Sequence, residues 1–200
     1  MNTVNNKILI GITGVIASGK SLVLNYLKEL GYFCLNADEI NKKLLTMAIH
    51  IKHINKLLFS EDSLLLDKKR IKDIIFKDAH KKDILENYLH PLIHQALVDQ
   101  IANANVKTIF VEMPLLFETN NQMFDKIITV YLSKTDTIKR LSKRDKITSL
   151  QAKRLVESQI DIDEKVKLSD YVIDNSKTMN ETKKQVRILL KELEKTYGHL

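Results

Sequence analysis

The chain has 200 residues, 44% hydrophobic and 28% charged, which suits one globular domain, with or without a smaller lobe, and excludes a compositionally disordered chain. No apolar stretch reaches the ~18 residues a membrane span needs, Met1-Asn2-Thr3-Val4-Asn5-Asn6 has no basic segment followed by an apolar signal core, and the lone Cys34 makes no internal disulfide, so a cytoplasmic protein without a membrane partner is expected. Lys and Arg exceed Asp and Glu by 7 (32 against 25), favouring an anionic partner such as a nucleotide, but the excess is spread without a dense basic run, so no nucleic-acid partner is expected.

The first segment, Lys7-Ile8-Leu9-Ile10-Gly11-Ile12, is nearly all apolar, the pattern of a strand buried on both faces of a parallel sheet. It leads into Gly14-Val15-Ile16-Ala17-Ser18-Gly19-Lys20-Ser21, a full match to the phosphate-binding loop. Beyond it Leu22, Val23, Tyr26, Leu27 and Leu30 recur at helical spacing, and Gly31 stands where a helix C-terminal glycine is expected. Strand before and helix after are the context in which such a loop binds nucleotide. Backbone N–H groups along Gly14, Ile16, Ala17, Ser18 and Gly19 are expected to face the phosphates, reinforced by the helix N-terminus. Lys20 is expected to reach the β and γ phosphates, Ser21 to ligate Mg²⁺ and Leu22 to contact the α phosphate through its N–H. These features read as an ATP-dependent kinase.

A second strand is expected over 32–36, with Cys34 as a buried thiol, and Asp38 follows it. Ligands in such sheets lie beyond the carboxyl ends of the strands, so Asp38 is a candidate to orient or deprotonate an acceptor hydroxyl if this strand flanks the first. Equally, it serves as an N-cap for a helix starting near Glu39. Residues 37–106 are too long for an ordinary loop and read as a helical insert, with Ile71, Ile74 and Ile75, then Ile84, Leu85, Tyr88, Leu89, Leu92 and Ile93, at helical period. Pro91 is expected to start or kink a helix there. His90 and His94 share a face but lack the glutamate of the zinc-protease pattern, so no metal is assigned to them.

Further strands are expected over 107–112, 126–132 and 171–174. Glu112 ends the first of these, where it suits either the Mg²⁺ water shell or a plain strand-end acid. Residues 133–170 read as a helical lid whose Ser133-Lys134-Thr135-Asp136 and Thr148-Ser149-Leu150-Gln151 are shaped like capping boxes. Arg140 and Arg144, four apart, offer cations for the transferred phosphoryl group, or a solvated face with Asp136 paired to Arg140. Ser133-Lys134-Thr135-Asp136 also resembles a guanine-recognition segment, but no Asp-x-x-Gly follows the third strand and capping explains it better. Thr178-Met179-Asn180-Glu181 opens a last helix to about Tyr197. The alternation gives an α/β fold with about five parallel strands flanked by helices.

Several segments together resemble dephospho-coenzyme A kinases nearly end to end. They are the loop from Thr13 to Ser21, Ala37-Asp38, Leu89-His90-Pro91-Leu92-Ile93, Pro114-Leu115-Leu116-Phe117-Glu118, Arg140 with Arg144-Asp145, Gln159, Glu164-Lys165 and Ser169-Asp170-Tyr171-Val172-Ile173-Asp174-Asn175. The resemblance implies a P-loop kinase fold: a nucleotide core of residues 1–36, 107–132 and 171–200, an acceptor domain of 37–106 and a lid of 133–170. It implies transfer of the ATP γ-phosphoryl group to the ribose 3′-hydroxyl of dephospho-coenzyme A with Mg²⁺, the final step of coenzyme A synthesis. On it, Asp38 is the base, Arg140 and Lys20 are catalytic, and Arg144 and Asn175 border ATP. His90, Pro91, Leu115 and Lys68 then contact the acceptor. A monomer or weak homo-oligomer is expected. The chain departs from the family's usual pattern in having Val15 and Ala17 where the loop is glycine-richer, Leu22 for Thr, Asn36 for Asp and Lys68 for Arg. Backbone cradling tolerates Val15 and Ala17 if neither needs positive φ. The rival readings are another phosphate-loop kinase, acting on a nucleoside monophosphate or metabolite alcohol, and a non-enzymatic nucleotide- or nucleic-acid-binding module.

Overall fold

The computed structural model describes residues 7–200, so Met1-Asn2-Thr3-Val4-Asn5-Asn6, read above as lacking a signal core, lies outside the described residues. The chain divides into two compact units: the described residues up to Asn36 together with Asn105–Leu200, and Ala37–Ala104. Among the described residues no helix is long and apolar enough to cross a membrane.

The first unit is built on β1 (Ile8–Thr13), followed by α1 (Lys20–Glu29) and β2 (Phe33–Asn36). After the second unit come β3 (Thr108–Glu112), β4 (Lys126–Tyr131), α6 (Lys134–Asp145), α7 (Ser149–Glu157), α8 (Ile162–Lys167), β5 (Tyr171–Asp174) and α9 (Met179–Tyr197). The five strands form one parallel sheet in the order β2-β3-β1-β4-β5. β1 is central and buried along its whole length, which is why its run is continuously apolar rather than alternating. β2 does not flank β1, since β3 lies between them.

On one face Ile8, Ile10, Ile12, Phe110, Ile128, Val130 and Ile173 pack against Val23, Leu24 and Leu27 of α1 and Val186, Leu189, Leu190 and Leu193 of α9. At about 25 cal/mol per Å² of apolar surface removed from water, this core is the main stabilising term of the unit. The helix ends follow their local chemistry. Gly31 stands just past α1 at φ +92°. Thr148 with Gln151 and Thr178 with Glu181 form complete capping boxes. Ser133 caps α6 by accepting the Asp136 N–H, so helix capping and not base recognition accounts for that segment.

The second unit contains α2 (Ala37–Leu44), α3 (Ala48–Phe59), α4 (Lys68–Lys77) and α5 (Ala79–Asn103). Ile54, Leu58, Ile71, Leu85 and Leu89 form its core, and buried Asn55 donates from Nδ2 to the carbonyls of Ser63 and Leu65, fixing the loop before α4. Pro91 does not start a helix: α5 runs through it. The absent proline N–H deprives Asn87 of one intrahelical bond, which the other bonds of this 25-residue helix outweigh.

Cys34 is half-buried, and burial pushes its thiol up to about 12. At pH 8 the thiolate fraction is then on the order of 10⁻⁴. Iodoacetamide at pH 8 is accordingly expected to leave Cys34 unmodified in the folded protein and to alkylate it in urea, as mass spectrometry would show. Equal rates in both states would contradict this burial.

Candidate phosphoryl-transfer site

Between β1 and α1 the loop turns sharply back on itself. Gly14, Ala17 and Gly19 lie at φ +143°, +63° and +103°, and the Ser18 N–H donates to Val15 O at 3.1 Å. Val15 keeps an ordinary φ, but Ala17 does not. Its methyl group is held in the left-handed region, where an L-residue is disfavoured by about 1–2 kcal/mol. Gly19 is confined twice over, because a Cβ there would stand 1.9 Å from Asn175 Nδ2 in addition to the backbone strain.

The polar groups converge on this loop. Lys20, 6% exposed, directs Nζ to the carbonyls of Gly14 and Val15, each at 3.0 Å, so its ammonium sits inside the loop's own curl. Buried Ser18 Oγ has no hydrogen-bond partner. α1 starts at Lys20 with no side-chain cap at Gly19 and no acidic residue in its first turn. A helix N-terminus left uncapped beside an inward ammonium attracts negative charge, with phosphate as the natural occupant. The Leu22 N–H bonds to Gly19 O at 3.0 Å, and the Ser21 side chain is exposed.

Neighbouring elements hold the loop in shape. Asn175, just past β5, donates from Nδ2 to Ser18 O at 2.7 Å, while its Oδ1 accepts from Thr182 Oγ1 at 2.9 Å. Arg140 donates through Nη2 to Asn175 O at 2.9 Å. The solvated pairing of Arg140 with Asp136 is thus not what forms: Asp136 instead approaches Lys139 and Ser133. Arg144 is exposed and turned to Asp145, 2.7 Å from Nε to Oδ1, a contact that raises its pKa. The Ile16 N–H donates to Gln159 Oε1 at 2.7 Å, and Ile16 and Ala17 pack on the Leu141, Ala152 and Val156 cluster of α6 and α7.

At the neighbouring strand end Glu112, 3% exposed, lies in register with both Ile12 and Asn36 and accepts from Asn36 Nδ2 at 2.9 Å. Leu115 is half-buried in the turn that follows. Ser21 and Glu112 supply only oxygen donors, the set a hard divalent cation such as Mg²⁺ prefers.

In the helical unit Asp38 is exposed in the first turn of α2. Because that helix starts at Ala37, Asp38 is not the N-cap of a helix from Glu39. Lys68 is exposed at the first position of α4, and His90 and Pro91 lie mid-way along α5. The sequence motifs did not assign the side-chain roles of Gln159, Glu118 and Lys165, nor the hold of Asn175 on Ser18. Those bonds span 42 to 157 residues and leave no periodic trace.

A family model described as dephospho-CoA kinase matches residues 8–181. The chain is 34% identical to a dephospho-CoA kinase of Listeria monocytogenes over 195 residues, covering 93% of this chain and 97% of that protein. It is 35% identical to that of Helicobacter pylori, covering 92% and 96%. A solved dephospho-CoA kinase from Campylobacter jejuni superimposes with a TM-score of 0.64 at 30% identity, over 94% of this chain and 97% of that one. A solved Acinetobacter baumannii shikimate kinase, 14% identical, shares the fold at a TM-score of 0.57, over 95% of this chain and 94% of that one.

The loop geometry makes a mutational contrast. Ala17→Gly exchanges left-handed strain for a comparable cost of about 0.5–1 kcal/mol in glycine entropy, so urea midpoints should stay close to wild type. Ala17→Val places a β-branched residue at positive φ and should lower the unfolding free energy by about 1–3 kcal/mol, and the urea midpoint with it. Equal midpoints for both variants would refute the strained conformation of Ala17.

Proposed function

The chain belongs to the dephospho-CoA kinase family, the kinases that complete coenzyme A synthesis, and on that premise we propose how its residues carry γ-phosphoryl transfer from ATP to the ribose 3′-hydroxyl of dephospho-coenzyme A. The observation that carries the reading is the uncapped phosphate loop with its inward Lys20 at the end of a central parallel strand.

In this reading the N–H groups of Gly14, Ala17 and Gly19 receive the phosphates, whereas those of Ile16, Ser18 and Leu22, expected from the motif to do the same, are engaged by Gln159 Oε1, Val15 O and Gly19 O and hold the loop's shape. Lys20, whose ammonium lies inside the loop against the carbonyls of Gly14 and Val15, binds the β and γ phosphate oxygens. The Ser21 hydroxyl and the Glu112 carboxylate would hold Mg²⁺, which supplies charge neutralisation between the phosphates when bound. Arg140, bonded to the carbonyl of the same Asn175 that holds Ser18 O, supplies a cation for the transferred phosphoryl group, with Arg144 one turn on along α6. The segment from Asp174 past Asn175 borders the adenine.

Asp38 takes the proton of the 3′-hydroxyl as its oxygen bonds to the γ phosphorus and the bond to ADP breaks. Because β3 separates β2 from β1, this role of Asp38 rests on the match of Ala37-Asp38 to the family and not on strand adjacency. Residues 37–106 serve as the acceptor domain, with Lys68, His90 and Pro91, together with Leu115, contacting dephospho-coenzyme A. Residues 133–170 act as the lid. One chain holds every residue named, which is compatible with a monomer or weak homo-oligomer, and ATP as donor and a reduced Cys34 suit a cytoplasmic setting.

Two measurements test this. ADP release should depend on dephospho-coenzyme A and not on a panel of nucleoside monophosphates, shikimate or gluconate. Turnover with a monophosphate and none with dephospho-coenzyme A would replace the acceptor. Asp38→Asn should lower kcat by about 10²-fold or more while ATP affinity stays near wild type. A near-normal kcat would remove Asp38 as the base.

A further inference from the structure

One buried charged group has no part in the reaction just described. Lys165 is 0% exposed, and its Nζ lies 2.8 Å from Glu118 Oε1, 3.0 Å from Glu118 Oε2 and 3.0 Å from Pro114 O. Glu118 Oε1 also accepts the Ile160 N–H at 3.0 Å. The preceding residue, Gln159, accepts the Ile16 N–H of the phosphate loop at 2.7 Å. Pro114 O takes a further bond from Thr13 Oγ1 at 3.2 Å, at the end of β1. Residues 159–165 therefore grip the phosphate loop at one end and the turn of residues 114–118 at the other.

Stability alone gives a poor reason for this arrangement. Burial pushes the Lys165 ammonium below its ordinary pKa, with Glu118 drawing it part of the way back. Apolar residues of similar volume in place of such a pair are often neutral or stabilising. What the charges provide is direction. Two carboxylate oxygens and a carbonyl of the turn, met by the Lys165 ammonium, the Ile160 amide and the Thr13 hydroxyl, fix it to within hydrogen-bond tolerance, where apolar packing has no such directionality.

We propose that Gln159, Glu118 and Lys165 are positioning residues for phosphoryl transfer. They lock the 114–118 turn, and with it the strand end bearing Glu112, in register with the Ile16 peptide of the phosphate loop. The proposal deepens the kinase reading above and rests on it. Misplacing reacting groups by about 1 Å costs on the order of 10²-fold in rate, so a loosened turn should register in turnover before it registers in folding.

The test compares Lys165→Met, the double variant Lys165→Met with Glu118→Leu, and Gln159→Met. Each is measured by urea unfolding, by calorimetric ATP binding, and by kcat and KM for both substrates. Lys165→Met alone should lower the unfolding midpoint, because Glu118 loses its buried partner. The double variant should regain that midpoint yet keep kcat at least about tenfold low. Gln159→Met should keep the wild-type midpoint while weakening ATP binding or lowering kcat by a similar factor. Recovery of both midpoint and kcat in the double variant would reduce the pair to a structural one and overturn the proposal. So would a Gln159→Met protein with wild-type kcat, KM and ATP affinity, which decides the matter if the double variant does not fold. Should wild type fail to phosphorylate dephospho-coenzyme A, the kinase reading fails, while ATP affinity in Gln159→Met still reads the Ile16 contact.

Discussion

Much of this structure depends on one hydrogen bond, from Asn175 Nδ2 to Ser18 O across 157 residues of sequence. The phosphate loop has three residues at positive φ, one of them an alanine, and an isolated peptide would not hold that shape. Asn175 holds it because β5 pairs with β4 and the Asn175 N–H bonds to Tyr131 O, setting the side chain against Gly19. Thr182 at the start of α9 then fixes which way the amide points, since its hydroxyl donates to Oδ1. The strand order, the last helix and the absence of a side chain at Gly19 all serve that contact.

The other supports of the loop come from the segment expected to form a lid. Ile16 bonds to Gln159, Ile16 and Ala17 pack against the α6 and α7 cluster, and Arg140 bonds to the Asn175 backbone. In this arrangement residues 133–170 are fastened to the nucleotide loop through polar and apolar contacts together. Motion of that segment, as the proposed function requires, would therefore be felt by the loop itself, with Gln159 as the link.

The elements were legible wherever a local rule governed them. Strand β5 fell on residues 171–174 as its apolar run indicated, and the capping boxes at Thr148 and Thr178 fixed two helix starts. The phosphate loop was legible because its glycine spacing encodes backbone geometry. Less was visible where tertiary context decides. That β3 would separate β1 from β2 is a matter of pairing that no strand announces. The positive φ of Ala17 is imposed by the loop against the preference of its residue type. Arg140 turned to a carbonyl 35 residues away rather than to Asp136 one helical turn behind it, because a buried carbonyl with fixed geometry outcompetes an exposed ion pair worth at most about 1 kcal/mol. The name of the acceptor came from the pieces outside the loop, and the match over residues 8–181 bears it out.

Asn175 gives the phosphate loop the shape in which it receives phosphate. Calorimetric titration of ATP into the Asn175→Ala protein, with its fold verified by circular dichroism, tests this most directly. ATP binding should weaken at least about tenfold, because Ser18 O loses its buried donor and the loop its reference point. Wild-type affinity in the folded variant would contradict it.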